Sequence, residues 1–152
     1  LLLLDTGIRA SELCNIKNSD LDLDRQCVKI FGKRSKERMV YFSPTTAHAI
    51  WKFQDPGSEY LFPNSKNGPM TRHSLRKLIY RACERAEVPR YSPHDFRHTF
   101  AVNFLRNHPN IYALQQMLGH STLDMVKRYL VISESDIAKA HRKASPVENW
   151  GL

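Results

Sequence analysis

Residues 71–86 carry the clearest helical pattern in the chain, and this segment constrains the fold most. Apolar side chains recur there at three- and four-residue spacing, which is the period of one helix face. The apolar residues are Leu75, Leu78, Ile79, Ala82, Cys83 and Ala86. The opposite face carries Arg76, Lys77, Arg81 and Arg85. The pattern predicts a helix capped by Thr71, with its apolar face in the core and a basic face turned outward.

Capping residues mark further helices. Serine is a good N-cap and proline fits the first helical position, so Ser43 and Ser92 each predict a helix that begins at the following proline. Asn110 is expected to cap a helix that ends at Gly119. The other expected helices are residues 9–16, a segment from residue 121 or 122 past Tyr129, and residues 134–143, with residues 146–152 as a frayed tail.

Two short segments alternate between apolar and polar residues, as strands with one buried face do. They are residues 26–31 and 38–42, and a basic connection at residues 32–37 separates them. This arrangement predicts an antiparallel β-hairpin, with residues 60–62 as a candidate third strand. The sequence as a whole therefore predicts a mainly α fold with a small antiparallel β-sheet, of the α+β class.

Positive charge is concentrated in two segments. The chain has 23 Lys and Arg against 15 Asp and Glu, a formal net charge of +8. Residues 25–43 contain six basic residues and one acidic residue, and residues 71–106 contain eight basic and three acidic residues. Such clustering indicates a surface that binds a polyanion such as nucleic acid. A solvated basic face without a partner is the alternative.

Length and composition favour one globular domain. The chain has 152 residues, of which 41% are hydrophobic and 25% charged, as in ordinary folded domains. The apolar run at residues 1–4 is too short for a membrane span and lacks the basic start of a signal peptide. Cys14, Cys27 and Cys83 show no CxxC spacing, so we expect reduced, buried thiols in a cytosolic protein. The chain begins with Leu inside a predicted helix, and we expect it to be a fragment.

Three motifs carry candidate chemistry. His94 and Arg97 are three residues apart near a predicted helix start, where they share a face and suit a phosphate. A glycine turn precedes His120 and can direct that imidazole into a cleft. Another glycine turn precedes Arg9 at a helix start, where Glu12 can hold this arginine or cap the backbone. The alternatives are a surface His and Arg without a function, a locally bonded His, and a structural Arg–Glu ion pair.

Five segments in this order resemble the phage-integrase, or tyrosine site-specific recombinase, family. They are Thr-Gly-Ile-Arg-Ala-Ser-Glu-Leu at 6–13, Gly-Lys-Arg-Ser-Lys-Glu-Arg at 32–38, His-Asp-Phe-Arg-His-Thr-Phe-Ala at 94–101, Leu-Gly-His-Ser-Thr at 118–122, and Tyr129. The intervals between them are also similar to those of the family. The resemblance implies the fold of a tyrosine-recombinase catalytic domain over residues 1–152, without the DNA-clamp domain that usually precedes it.

The resemblance also implies a reaction and a set of roles. Tyr129 would attack the scissile phosphate and form a 3′-phosphotyrosyl link, with neither metal nor cofactor. Arg9 and Arg97 match the family's phosphate-clamping arginines, and His120 matches the residue that binds a non-bridging oxygen. His94 matches the residue that assists the tyrosine's proton. Lys33 matches the hairpin lysine that protonates the leaving 5′-oxygen, and Lys36 is its rival.

Some alternatives remain open for the nucleophile and the function. Tyr129 has the helical spacing of a buried aromatic, and Tyr80, Tyr91 and Tyr112 also lie near the motifs in sequence. A type IB topoisomerase would use the same chemistry to relax DNA, and a non-catalytic DNA-binding remnant would use none. After Tyr129 the sequence continues Leu-Val-Ile, where many relatives carry a small polar residue and a His.

The expected partner is double-stranded DNA. The residues predicted to bind it are Arg34, Lys36, Arg38, Arg72, Arg76, Lys77 and Arg81. The resemblance further implies an integrase of a mobile element, working as a homo-oligomer, a tetramer on DNA, in the full-length protein. We expect it in the bacterial cytoplasm, associated with the nucleoid, and without a membrane partner.

Overall fold

The computed structural model describes residues 1–32, 37–120, 122–127, 129 and 134–150. Helices dominate it, and a small sheet lies near the start of the chain. The helices are α1 (Leu2–Thr6), α2 (Ala10–Cys14), α3 (Pro44–Phe53), α4 (Arg72–Arg85), α5 (Pro93–Asn107), α6 (Ile111–Leu118), α7 (Asp124–Lys127), α8 (Glu134–Ala144) and α9 (Pro146–Trp150). This is the predicted α+β class.

The sheet is antiparallel, with strands β1 (Leu21–Asp22), β2 (Cys27–Phe31) and β3 (Glu37–Tyr41) in that order. In the hairpin, Ile30 lies opposite Arg38 and Val28 lies opposite Val40. The predicted hairpin is confirmed, but residues 60–62 are not its third strand, because β1 takes that place. Tyr60 forms only a single bridge, with Lys17. Pro63 forms a second isolated bridge, with Pro69, and neither proline has an N–H to donate to a ladder.

Two clusters of buried side chains form the core. The first joins the sheet to α1, α2, α3 and the start of α4, and the second joins α5, α6 and the region of Tyr129. Gly7 lies where they meet, in the left-handed conformation with φ +62°, and a Cβ there would lie 2.5 Å from Phe100 Cδ1. Only glycine allows both the turn and the contact. All three cysteines are free and buried, as predicted.

Helix α4 buries less of its apolar face than its periodicity predicts. Leu75 and Cys83 are buried, but Leu78 is 48% exposed, and Ala82 and Ala86 are also exposed. The helix packs against the short helix α2, which is only five residues long and covers a narrow strip. The predicted cap is present, since Thr71 Oγ1 accepts a hydrogen bond from the Ser74 amide at 3.1 Å.

The remaining helix ends largely follow their capping residues. Asn110 Oδ1 accepts a hydrogen bond from the Ala113 amide, and the Ser92 amide donates to Asp95 Oδ2. Helix α7 ends at Lys127, whereas the sequence predicts a helix that continues past Tyr129. Residues 146–152 are predicted to be a frayed tail, but Pro146–Trp150 form α9. Ser145 and Pro146 repeat the Ser-Pro signal that starts α3 and α5. Within the described residues, no helix is long and apolar enough to cross a membrane.

Candidate active site

A cleft of about 250 Å³ opens between the first turn of the chain and the starts of α2 and α5. It brings together five of the six predicted catalytic residues from distant parts of the sequence. The lining residues are Ile8, Arg9, Ala10, Pro93, His94, Arg97, His120 and Tyr129. The sixth predicted residue, Lys33, lies outside the described residues, as do its rival Lys36 and the predicted DNA-binding Arg34.

Arg97 lies at the bottom of the cleft and is only 5% exposed. Its Nη1 donates to the Gly7 carbonyl at 2.6 Å, and its Nη2 donates to the Leu118 carbonyl at 2.9 Å. Burial, followed by the nearby charge of Arg9, lowers the pKa of Arg97 to about 10. It therefore remains a cation at neutral pH, and its charge can stabilise an incoming anion.

His120 is held beside Arg97 by the turn at the end of α6. Gly119 adopts φ +62°, and the His120 amide donates back to the Gln115 carbonyl at 3.1 Å. The His120 Nε2 lies 2.6 Å from Arg97 Nη2. Because a guanidinium has only donors, this nitrogen accepts, and the proton of the neutral imidazole is then assigned to Nδ1.

Arg9 is oriented by Glu12, which acts in both of the ways considered for it. The carboxylate caps α2 by accepting the Arg9 amide at 2.8 Å, and it also binds Arg9 Nη1 at 2.9 Å. The second guanidinium nitrogen of Arg9 donates to the Gly119 carbonyl at 3.0 Å. This bond joins the first motif of the chain to the turn before His120. Arg9 is thus held in place where it lines the cleft.

Arg38 does not lie on the exposed basic surface for which it was predicted. Its guanidinium forms a two-point ion pair with Glu12, at 2.9 and 2.8 Å, and its side chain is only 15% exposed. Burial alone raises the pKa of Glu12, but hydrogen bonds from Arg38 and from the Arg9 amide outweigh this effect and lower it. Glu12 is therefore an anion that lies between two arginines.

Tyr129 is a buried aromatic that also reaches the cleft. Its side chain is buried in the second core cluster, and it also lines the cleft. The ring stacks on His120, with 6.3 Å between centroids, and contacts His98 at 5.4 Å. The rival tyrosines Tyr80, Tyr91 and Tyr112 do not line this cleft.

His98 is a residue that the sequence analysis did not select. It follows Arg97 and lies four residues after His94, which places both histidines on one face of α5. This spacing could have identified His98 from the sequence. The structure places His94 at the exposed edge of the cleft and His98 against the Tyr129 ring.

The predicted DNA-binding residues of α4 form an exposed basic face. Arg72, Arg76, Lys77 and Arg81 are all exposed. Arg76 Nε donates to Tyr80 Oη at 2.6 Å, and its guanidinium lies over the Tyr80 ring. These cations are accessible to solvent, in contrast to the arginines of the cleft.

Comparison with known proteins agrees with this geometry. The profile of the phage integrase family matches residues 1–135, a range that contains all six predicted catalytic residues. Tyrosine recombinase XerC of Corynebacterium glutamicum is 33% identical over 151 residues, which cover 95% of this chain and 49% of that protein. The chain thus spans about half the length of this curated relative.

Solved structures share the fold. The crystal structure of XerA recombinase is 27% identical, with a TM-score of 0.80 over 95% of this chain and 56% of that one. The catalytic domain of bacteriophage HP1 integrase is 28% identical, with a TM-score of 0.68 over 97% of this chain and 80% of that one. With its sequence matched over most of its length and its fold shared with these proteins, the chain belongs to the phage integrase family.

Proposed function

We propose that residues 1–152 form the catalytic domain of an enzyme that cleaves and rejoins DNA at specific sites through a 3′-phosphotyrosyl intermediate. One observation carries the proposal: a tyrosine, two arginines and two histidines converge on one cleft although they come from separate motifs. The charge and donors in the cleft suit a phosphodiester. The resemblance of the chain to recombinases supports the same reaction.

In the proposed cleavage step, the Tyr129 Oη attacks the scissile phosphorus. The P–Oη bond forms as the P–O5′ bond breaks, which leaves DNA joined to Tyr129 through its 3′ phosphate and frees a 5′-hydroxyl. Negative charge that builds up on the non-bridging oxygens is stabilised by Arg9 and Arg97, whose positions are fixed before the phosphate arrives. The reverse step rejoins the strand, since the phosphodiester energy is retained in the tyrosyl link.

Two protons must move in this step. The tyrosine proton must leave Oη, and His94 at the cleft edge is the proposed acceptor. The 5′-oxygen must gain a proton, and Lys33 is the proposed donor, with Lys36 as its rival. His120 is proposed to bind a non-bridging oxygen through Nε2, which must then carry the ring proton and exchange its present contact with Arg97 for one with the phosphate.

The proposed substrate is double-stranded DNA, held by the basic face of α4 and by Arg34 and Lys36. The full-length protein is proposed to act as a tetramer on DNA and to serve a mobile element in the bacterial cytoplasm, in association with the nucleoid. The reaction is proposed to use neither metal nor cofactor. Arg38 is not proposed to contact DNA, because its guanidinium binds Glu12.

Covalent capture tests the proposal and identifies the DNA site in the same experiment. The chain is incubated with sheared genomic DNA in EDTA and denatured with detergent, and the DNA that stays attached is sequenced. We expect attachment through a 3′ end at a recurring sequence, and no attachment for Tyr129→Phe. Attachment that requires an added divalent metal would contradict the proposal. Relaxation of plasmids that lack the recovered sequence would instead indicate a topoisomerase.

The proton donor has a test of its own. A substrate with sulfur in place of the bridging 5′-oxygen needs no proton on its leaving group, because a thiolate leaves unaided. We expect this substrate to restore cleavage to Lys33→Ala but not to Arg97→Ala. Rescue of Lys36→Ala alone would assign the donor to Lys36, and rescue of neither variant would move the donor elsewhere.

A further inference from the structure

The Arg38 guanidinium lies behind the cleft, and all three of its nitrogens are hydrogen-bonded. Nη1 and Nη2 bind the two oxygens of Glu12, and Nε donates to the Met117 carbonyl at 3.1 Å. A planar fork that meets a carboxylate at two points fixes the plane of that carboxylate. Arg38 comes from strand β3, so it links the hairpin to Glu12, which binds the cleft residue Arg9.

Glu12, with its plane fixed by Arg38, in turn holds Arg9 in place. Each of its oxygens accepts one hydrogen bond from Arg38 and one from Arg9, which provides the amide for Oε2 and Nη1 for Oε1. The two arginines thus share one carboxylate from opposite sides. If Arg38 is removed, Glu12 can rotate, and Arg9 loses the fixed acceptor that aims its guanidinium.

Arg38 also sets the charge of the site. Arg9, Arg38 and Arg97 contribute three positive charges and Glu12 one negative charge. Without Arg38, the carboxylate would be balanced by Arg9 alone, and less of the Arg9 charge would remain for a phosphate. The pairing with Arg38 therefore keeps the cleft suited to an anion although a buried carboxylate lies next to Arg9.

A third contact joins Arg38 to the turn before His120. A Cβ on Gly119 would lie 3.0 Å from Arg38 Nη1 and 3.1 Å from Cζ. The guanidinium thus occupies the space that a side chain at position 119 would need. The neighbouring carbonyls of this turn bind Arg9 and Arg97. Arg38 therefore lies against the segments that hold Arg9, Arg97 and His120.

We propose that Arg38 is a positioning residue for the phosphate site, acting through Glu12 on Arg9 and through the Gly119 turn on His120. This inference rests on the proposed function, since it assumes that the site binds a phosphodiester. It assigns to Arg38 a role in the rate of the chemical step and not in the capture of DNA.

The first test compares Arg38→Met with Arg25→Met. Each variant removes one positive charge, but the Arg25 side chain is 83% exposed and its ion pair with Asp22 is long, at 3.7 Å. With the duplex recovered by covalent capture, we expect Arg38→Met to slow single-turnover cleavage at saturating DNA by about 10- to 100-fold. The DNA Kd should change equally in both variants. Normal cleavage at saturation, with a Kd weakened only in Arg38→Met, would make Arg38 a DNA contact and overturn the proposal.

A double-mutant cycle tests whether Arg38 acts through Glu12. We expect Glu12→Gln combined with Arg38→Met to lose less than the product of the two single losses, because the part of the Arg38 effect that passes through Glu12 is already lost and only the part through the Gly119 turn remains. Independent, multiplying losses would contradict this route. The double variant removes both charges of the Arg38–Glu12 ion pair together, so it remains informative if Arg38→Met alone does not fold.

A measurement without DNA separates this inference from the proposed function. The Arg9 Nε–H resonance is observed in the full chain labelled with ¹⁵N-arginine. We expect it to shift in Arg38→Lys, which keeps the charge but loses the fork, and to stay in place in Arg25→Met. Lack of attachment in the wild type would refute the proposed function only. An Arg9 resonance unmoved in Arg38→Lys would refute the positioning role.

Discussion

The arginines of this chain occupy two contrasting environments. Those of the cleft are buried or part-buried, and backbone carbonyls and one carboxylate hold them in place. Those on α4 are exposed, with Arg76 resting on a tyrosine ring. A buried, fixed cation can stabilise charge at one atom, whereas exposed cations attract a polyanion through its overall field. Arginine therefore serves two separable tasks in this chain, and mutations in the cleft and on α4 should distinguish them.

The largest effect is expected from Arg97→Ala. It removes a fixed donor and a buried charge from the cleft, so cleavage at saturating DNA should fall by about 10²–10³-fold. Arg106→Ala is the matched control, because Arg106 is exposed near the end of the same helix. Single-turnover kinetics measure both variants. Equal rates for the two would remove the contrast between cleft and surface.

The frame of the cleft should be sensitive to Gly7→Ala. The new Cβ would meet Phe100 Cδ1 at 2.5 Å, in a backbone conformation that alanine disfavours. We expect the free energy of unfolding to fall by about 1–3 kcal/mol, as measured with urea. Gly57→Ala, on an exposed turn without positive φ, is the control and should change stability little. Equal losses would show that the close contact at Gly7 is not a constraint.

Acid should weaken the cleft network through Glu12. Its pKa is lower in the folded chain than in the unfolded chain, so its stabilising contribution is complete above the unfolded value, about 4.3, and is lost as the pH falls through the folded value. We expect wild type to lose more stability than Glu12→Gln when unfolding is followed from neutral to acidic pH. Parallel curves for the two proteins would contradict this linkage.

The smallest effect on the chemical step is expected on α4. Changing Arg76, Lys77 and Arg81 to Gln should weaken DNA binding and reduce the salt slope by about 0.9 per lost phosphate contact. Cleavage at saturating DNA should stay near the wild-type rate. Arg25, Lys52 and Lys66 changed to Gln form a control of equal charge at exposed positions. A slope that falls equally in both would show that only net charge matters.

Local signals in the sequence were sufficient for most of the fold. Ser43, Thr71 and Asn110 cap the helices they were expected to cap, because a cap depends on residues only three positions apart. Periodicity could not show how much of the apolar face of α4 finds a partner. Leu78 remains exposed because the size of the neighbouring helix decides this, and that is a tertiary property.

The same distinction applies to the candidate site. Five of the predicted catalytic residues lie in the cleft. They could be predicted because short motifs and the spacing between them mark each one in the sequence. Arg38 was expected on the surface because its partner Glu12 lies 26 residues away, and no local pattern links the two. The contact of His98 with Tyr129 likewise depends on how the region after α6 folds back on α5.

The central claim is that Tyr129 is the nucleophile, and the most direct measurement is the site of DNA attachment. After covalent capture and nuclease digestion, protease treatment and mass spectrometry identify the peptide that retains a nucleotide. We expect a 3′-phosphonucleotide on the Tyr129 Oη in wild type and no modified peptide in Tyr129→Phe. A nucleotide on Tyr80, Tyr91 or Tyr112, or one that persists in Tyr129→Phe, would contradict it.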